Sequence, residues 1–165
     1  MQPFVLFNIQ FTLILIAYAL IAIWYVAPRL SGLPREMALV PLLWVHVFRI
    51  VGGTILAPGS VDPGVPMEFQ TVIGIGDMTT GVLALVALIA LRVHFTGAIA
   101  LVWVLILFGT LDTANAFVQS LRHSVFNYPL GFNWVIVTAY VQALLVSSVL
   151  IFMQLLRSDR SPAPV

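Results

Sequence analysis

The sequence predicts an all-α, polytopic integral membrane protein built as a bundle of five transmembrane helices. Of its 165 residues, 61% are hydrophobic and 8% are charged, and the mean hydropathy is +1.09. The apolar residues fall in blocks of about 20 residues or more, which is the length that an α-helix needs to cross a bilayer core. Strands of a membrane barrel would be shorter and alternating, so the pattern favours helices.

Short stretches rich in proline, glycine or polar residues separate the five hydrophobic segments. The predicted helices cover residues 4–27, 36–57, 69–91, 95–119 and 133–156. We therefore expect one transmembrane domain over residues 1–157, followed by a short polar cytoplasmic tail over residues 158–165. No internal repeat is visible, and an odd number of helices argues against a simple duplicated transporter.

The distribution of arginines predicts which ends of the helices face the cytoplasm. All seven basic residues are arginines. One end of the predicted bundle carries Arg29, Arg35, Arg92, Arg157 and Arg160, and the other end carries only Arg122. Because short cytoplasmic segments of membrane proteins are enriched in basic residues, we expect the N-terminus outside and the C-terminus in the cytoplasm.

Three charged residues lie inside the predicted helices, where charges are costly and are often functional. Arg49, Asp77 and Asp112 each lie about seven or eight residues from the outer end of a helix, or roughly 12 Å deep at 1.5 Å per residue. Since successive helices run in opposite directions, the three side chains are predicted to lie at one level. This agreement in depth indicates a common site in the outer half of the bundle.

Helical spacing brings further polar residues to this site. His46 stands three residues before Arg49, and Asn115 stands three residues after Asp112, so each pair shares a helix face. We expect a ligand-binding or proton site made of His46, Arg49, Asp77, Asp112 and Asn115. The lining of this outward-facing pocket is predicted to come from Trp44, Trp103, Trp134, Thr138 and Gln142.

The charges of the predicted site do not balance, because one arginine cannot neutralise two aspartates. A proton on one aspartate, a protonated His46, a bound cation or water in an open cavity would compensate for the difference. Each of these except water makes the site responsive to a ligand or to pH. The alternative is a structural ion-pair network that only fixes how the helices pack.

The sequence assigns no catalytic residue, so whether the chain is an enzyme stays open. The absence of cysteine excludes disulfides and thiol chemistry. With only one histidine deep in a helix, a haem held by two histidines, a zinc site and a di-iron site are poorly supported, and we predict no metal centre. A haem held by His46 alone, or a quinone near His46, Trp44 and Trp103, remains open. A net charge of +1 gives no reason to expect a nucleic-acid partner.

Three short motifs resemble a recurring pattern in an uncharacterised family of small bacterial inner-membrane proteins. They are FRIVGG, GVPMEF and GIGDMTTG, which lie within residues 44–90. The matching positions are Arg49, Gly52, Pro66, Phe69, Gly74, Gly76, Asp77 and Gly81. The resemblance implies a multi-pass protein of the bacterial inner membrane with Arg49 and Asp77 as its central polar pair, and it implies no activity.

The sequence therefore favours a binding or sensing module whose intramembrane pocket takes a small ligand, a lipid headgroup or a proton. In this interpretation Arg49 holds an anionic group or organises the aspartates, Asp77 and Asp112 carry the proton, and His46 forms the pocket floor. A membrane-embedded redox or lipid-modifying enzyme is one alternative. An accessory subunit of a membrane complex, with the charges fixing assembly, is the other, and a homo-oligomer is also open.

Overall fold

The structure, a computed structural model, describes residues 2–157. It contains five long helices, α1 (Pro3–Ser31), α2 (Arg35–Leu56), α3 (Met67–Arg92), α4 (Ala98–Arg122) and α5 (Asn133–Leu156). Each helix is long and apolar enough to cross a membrane, and residues 2–157 contain no strand. The prediction of an all-α bundle with five helices long and apolar enough to span a membrane is confirmed. The predicted tail over 158–165 lies outside the described residues.

Proline marks the beginning of three helices. α1 begins at Pro3, α2 follows Pro34, and α3 follows Pro66. Proline suits these positions because its φ is already helical and because the first N–H groups of a helix have no partner within it. The helix ends differ from the predicted ones by no more than four residues.

The winding of three helices departs from a regular α-helix. α1 and α5 each contain a wider π-helical turn, at Ala22–Val26 and Ile136–Tyr140. α2 changes to the tighter 3-10 winding over Phe48–Leu56, a segment that carries Arg49. A run of 3-10 winding inside a longer helix often accompanies functional or strained positions. Here it lies in the helix that supplies the buried arginine.

The five helices lie side by side in the order α1, α5, α2, α3, α4. α3 packs extensively against both α2 and α4, and α2 also packs against α5. α4 makes few contacts with α5, so the bundle is incompletely closed between these two helices. A cavity lies at this gap between α4 and α5.

Two apolar clusters stabilise the two ends of the bundle. We call the end with connections 57–66 and 123–132 the long-loop end, and the end with connections 32–34 and 93–97 the short-loop end. The larger cluster joins all five helices towards the short-loop end, around side chains such as Leu39, Leu105 and Ile151. The smaller cluster fills the long-loop end with Phe7, Ile55, Val65, Phe69, Val125, Phe126 and Leu130.

Hydrogen bonds join the two long connections to each other. The backbone N–H of Asp62 donates to the carbonyl of Pro129 at 3.0 Å. The side chain of Asn133 donates to the carbonyl of Ser60 at 3.2 Å and accepts from the Thr54 hydroxyl at 3.2 Å. Because buried polar groups need partners, these bonds allow the loops to pack over the apolar cluster beneath them.

Candidate functional site

A buried arginine on α2 holds one aspartate on α3 and another on α4. The Arg49 Nε donates to Asp77 Oδ1 at 2.5 Å, and its Nη2 donates to Asp112 Oδ2 at 2.7 Å. Its Nη1 donates to the backbone carbonyl of Gly109 at 3.1 Å. The flat guanidinium fork suits this task because its donors point in several fixed directions. We call Arg49, Asp77 and Asp112 the charge cluster.

The charge cluster lies within the protein interior. Arg49 has 3% of its surface exposed. The Asp77 and Asp112 side chains are 17% and 12% exposed. Ion pairs removed from water carry a large desolvation cost, which strong hydrogen bonds must offset. The bonds of Arg49 provide this compensation and join three helices.

Three glycines, one on each of these helices, make room for the charged side chains. A Cβ atom on Gly52 of α2 would overlap the Asp77 carboxylate, and one on Gly76 of α3 would overlap the Asp112 carboxylate. On α4, a Cβ atom on Gly109 would lie 3.1 Å from Thr80 Cγ2 and 3.5 Å from Arg49 Nη1. The close approach of the backbones therefore depends on the absence of side chains at these positions.

The formal charges of the cluster are unequal. One guanidinium faces two carboxyl groups, so the cluster carries a net charge of −1 when both aspartates are ionised. His46 donates no bond to either carboxylate, and its Nε2 lies 3.1 Å from the Ser147 hydroxyl instead. The protein groups bonded within the cluster therefore leave one negative charge without a matching positive charge.

A cavity of about 580 Å³ lies beside the charge cluster. Arg49, Gly52 and Asp77 form part of its wall, and Asp112, which accepts from Arg49 and lies against Gly76, is outside the lining. Most of the remaining lining is apolar and comes from all five helices, including Phe11, Ile73, Ala114, Phe117, Val141, Leu144 and Val149. Its volume falls in the range of roughly 300–1,000 Å³ that is usual for small-molecule sites.

The cavity opens sideways, between α4 and α5. Its lining residues Thr110, Ala114 and Phe117 on α4 and Val149 on α5 are exposed. The lining residues at the long-loop end, among them Phe7, Phe69, Val125, Phe126 and Leu130, are buried. The prediction of a pocket that opens at the outer end of the bundle is therefore wrong, because the smaller apolar cluster closes that end.

His46 lies away from the cavity. It is 1% exposed, and its ring faces Ser147 on α5 rather than the cavity lining. The prediction that His46 forms the pocket floor is therefore wrong, because its face of α2 packs against α5. The same packing leaves no open space at His46 for a haem, so the structure gives no support to that interpretation.

None of the three predicted tryptophans lines the cavity. Trp44 is 45% exposed, because the opposite face of α2 carries the buried residues. Trp103 packs edge-on against Phe152, with ring centroids 5.9 Å apart. Trp134 turns towards α1, where its Nε1 donates to Gln10 Oε1 at 2.8 Å. These contacts correct the predicted lining.

The predicted polar residues of α5 and α4 also lie outside the lining. Thr138 and Gln142 are buried, and they donate to carbonyls of their own helix, those of Trp134 and Val137. The adjoining face of α5 lines the cavity instead. Asn115 is exposed on α4, so it does not join the charge cluster. Spacing along a helix identified shared faces, but it could not determine which face meets the cavity.

Several residues of the site were not predicted from the sequence. Tyr140 lines the cavity, and its hydroxyl donates a short hydrogen bond to the backbone carbonyl of Val45. Thr113 also lines it, and its hydroxyl donates to the Gly109 carbonyl at 2.8 Å, the same carbonyl that Arg49 contacts. Tyr140 could have been suspected, because a phenol within an apolar segment needs a hydrogen-bond partner.

Comparison with known proteins identifies a family for this chain. A family model described as a domain of unknown function (DUF8737) matches residues 6–156, which is most of the chain. No curated protein and no solved structure matches the chain. The match covers nearly the whole bundle, including all three members of the charge cluster, and it agrees with the expectation of an uncharacterised family.

Proposed function

The chain belongs to the family of the domain of unknown function DUF8737, and we propose from its site that it is a membrane-embedded binding or sensing module. The charge cluster is the sensing element. Its surplus negative charge is balanced by an exchangeable partner, which is a proton or a small ligand that occupies the neighbouring cavity. Binding or loss of that partner changes how strongly Arg49 joins α2, α3 and α4.

One observation carries this proposal: a single buried arginine is shared by two aspartates, and one of them lines a cavity. An ion pair that only fixes how two helices pack needs one acid for each base. A second buried acid adds desolvation cost unless another positive group compensates for it. The cavity gives such a group a place beside Asp77.

The geometry favours an organising role for Arg49 over direct binding of an anion. Three of its donors are directed at protein acceptors, namely Asp77, Asp112 and the Gly109 carbonyl. An anionic ligand would have to compete with two carboxylates for the same guanidinium. The surplus charge instead favours a proton or a positively charged ligand, with Asp77 as the contact on the cavity side.

We also propose that the bundle lies in the bacterial inner membrane with its N-terminus outside. The support is the excess of arginine at the short-loop end, where Arg29, Arg35 and Arg92 lie. In this orientation the long-loop end faces outward, and the charge cluster lies in the outer half of the membrane.

Infrared spectroscopy of the protein in lipid discs tests the proposed function, because protonated and ionised carboxyl groups absorb at different frequencies. We expect one of two results at neutral pH. Either a protonated-carboxyl band is present and is removed by Asp77→Asn or Asp112→Asn, or a bound small molecule accompanies two ionised aspartates and is lost in the same variants.

The control variant is Asp62→Asn, which changes an acid in the loop over 57–66 and keeps the oxygen that accepts from the Gly64 N–H at 2.7 Å. This variant should leave the band and any bound molecule unchanged. Two ionised aspartates in a protein that holds neither a small molecule nor a cation would contradict the proposal. In that case the cluster would be a structural ion-pair network.

A further inference from the structure

We infer that the cavity binds a membrane-soluble amine, an amphiphile with an apolar chain and an ammonium head that carries N–H donors. This inference rests on the proposed function and names the class of its ligand. It follows from three properties of the cavity: the direction of its opening, the hydrogen-bonding character of its polar atoms, and its net charge.

The opening of the cavity indicates a ligand that arrives through the membrane. The exposed lining residues Ala114, Phe117 and Val149 lie within the segments of α4 and α5 that are apolar enough to span a bilayer. A water-soluble ligand would need an opening at one end, and the long-loop end is closed by buried side chains. An amphiphile can reach the gap between α4 and α5 from the hydrocarbon layer and can place its chain along the apolar lining.

The hydroxyl groups that line the cavity offer acceptors rather than donors to a ligand. Four of these hydroxyl groups each donate their hydrogen to the backbone carbonyl one helical turn earlier. They belong to Thr110, Thr113, Ser120 and Ser148. The Tyr140 hydroxyl donates to the Val45 carbonyl. Each of these oxygens keeps lone pairs that can accept a hydrogen bond. Together with the Asp77 carboxylate, they favour a ligand that brings its own donors.

The charge of the cavity wall selects the sign of the ligand. Arg49 and Asp77 line the cavity, and Asp112, outside the lining, accepts from the Arg49 Nη2. The cluster therefore has a surplus of one negative charge next to apolar walls, where charges interact more strongly than in water. An ammonium head beside Asp77 would neutralise this surplus and would donate a charge-assisted hydrogen bond to the Asp77 carboxylate.

Binding of n-dodecylamine to the protein in phosphatidylcholine discs tests the inference, with native mass spectrometry counting the bound molecules. Phosphatidylcholine suits this assay because its headgroup carries no N–H donor. At neutral pH we expect saturable binding of one dodecylammonium per chain. Dodecyltrimethylammonium has the same charge and chain but no N–H, so it should bind about tenfold more weakly. Dodecanoate, with the opposite charge, should not bind saturably.

Two pairs of variants assign the binding to this cavity. Asp77→Asn should weaken dodecylammonium binding by about tenfold or more, whereas Asp62→Asn should not. Ala114→Trp fills the opening between α4 and α5 and should abolish saturable binding. Its control is Ala100→Trp, which enlarges an exposed alanine of α4 outside the cavity lining and should leave binding unchanged.

Several results would overturn the inference. Equal binding of the two cations would show that N–H donors are not recognised, and equal binding to the Ala114→Trp and Ala100→Trp variants would place the ligand elsewhere. If Asp77→Asn fails to fold, the comparison of the two cations on the unaltered protein still decides the question. Absence of amine binding together with a protonated-carboxyl band would overturn the amine and leave the proposed function standing. Absence of amine binding, of a protonated-carboxyl band and of any other bound small molecule or cation would overturn the two together.

Discussion

Arg49 contacts Asp77 and Asp112 through different nitrogens of one guanidinium group, Nε for the first and Nη2 for the second. The two acids therefore do not compete for one donor, because each accepts from a different nitrogen of the guanidinium group. This arrangement explains how three helices share one cation at close range. It also means that a change in either carboxyl group alters the environment of the other through Arg49.

The shape of the guanidinium group gives the first prediction. Arg49→Lys keeps the positive charge but replaces the fork with a single ammonium, which cannot reproduce the three bonds to Asp77, Asp112 and the Gly109 carbonyl. We expect the free energy of unfolding to fall by about 1–3 kcal/mol, the cost of leaving a buried polar group unpaired. Reversible unfolding in mixed detergent–SDS micelles measures this change.

Arg29→Lys is the matched control for that substitution. Arg29 lies at the short-loop end, where its Nη1 donates to the Tyr25 carbonyl of the same helix in an exposed position. We expect this variant to stay within about 0.5 kcal/mol of the unaltered protein. Equal stability of the Arg49→Lys and Arg29→Lys variants would mean that the fork geometry is unimportant.

The glycines beside the charge cluster give the second prediction. Gly52→Ala would place a methyl group in the space that the Asp77 carboxylate occupies, so the carboxylate or α2 must move. We expect a loss of about 1–3 kcal/mol in the free energy of unfolding, which is typical of overpacking. Gly32→Ala is the control, because the nearest atom to its added Cβ is the Arg29 carbonyl oxygen at 3.8 Å. A Gly52→Ala variant as stable as the Gly32→Ala variant would argue against the close packing described here.

The hydroxyl of Tyr140 gives the third prediction. Tyr140→Phe removes the hydroxyl that donates to the Val45 carbonyl, where α2 is about to change from α to 3-10 winding. We expect the free energy of unfolding to fall by about 0.5–1.5 kcal/mol, because one hydrogen bond between α5 and α2 is lost. Tyr25→Phe, at a position that is 55% exposed, should change stability by less than about 0.5 kcal/mol. If the two variants are equally stable, the bond between α5 and α2 contributes nothing measurable.

The orientation of the bundle gives the fourth prediction, and the absence of cysteine makes it simple to test. Ser124 lies exposed at the long-loop end, and Thr96 lies exposed in the turn between α3 and α4. In intact bacterial cells, an impermeant thiol reagent should label Ser124→Cys and should not label Thr96→Cys. Labelling of Thr96→Cys alone would reverse the proposed orientation.

The fold could be predicted closely from the sequence because the bilayer restricts the choices. Long apolar blocks must form helices in a membrane, and their lengths fix the ends within a few residues. Depth was also predictable, because a helix rises by a constant amount per residue. This is why counting residues from the helix ends brought Arg49, Asp77 and Asp112 to one level before their contacts were known.

The cavity could not be predicted in the same way, because it depends on which helices are neighbours. The sequence does not show that α4 and α5 contact each other little, and that gap determines which face of each helix lines the cavity. Thr138 and Gln142 share a helix face, as expected, but it is not the lining face. The 3-10 winding over Phe48–Leu56 also changes the direction in which α2 side chains point, and no local sequence pattern predicted it.

The central claim is that Arg49, Asp77 and Asp112 act as one unit with a surplus acid, and a double-mutant cycle tests it most directly. Either Asp77→Asn or Asp112→Asn alone leaves Arg49 one ionised partner, whereas the double variant leaves a buried arginine without any. Leaving a buried charge without an opposite charge costs about 3–5 kcal/mol. We therefore expect the double variant to lose more unfolding free energy than the two single variants together, by about 1–3 kcal/mol. Additive losses across the cycle, measured by the same reversible unfolding, would contradict the account.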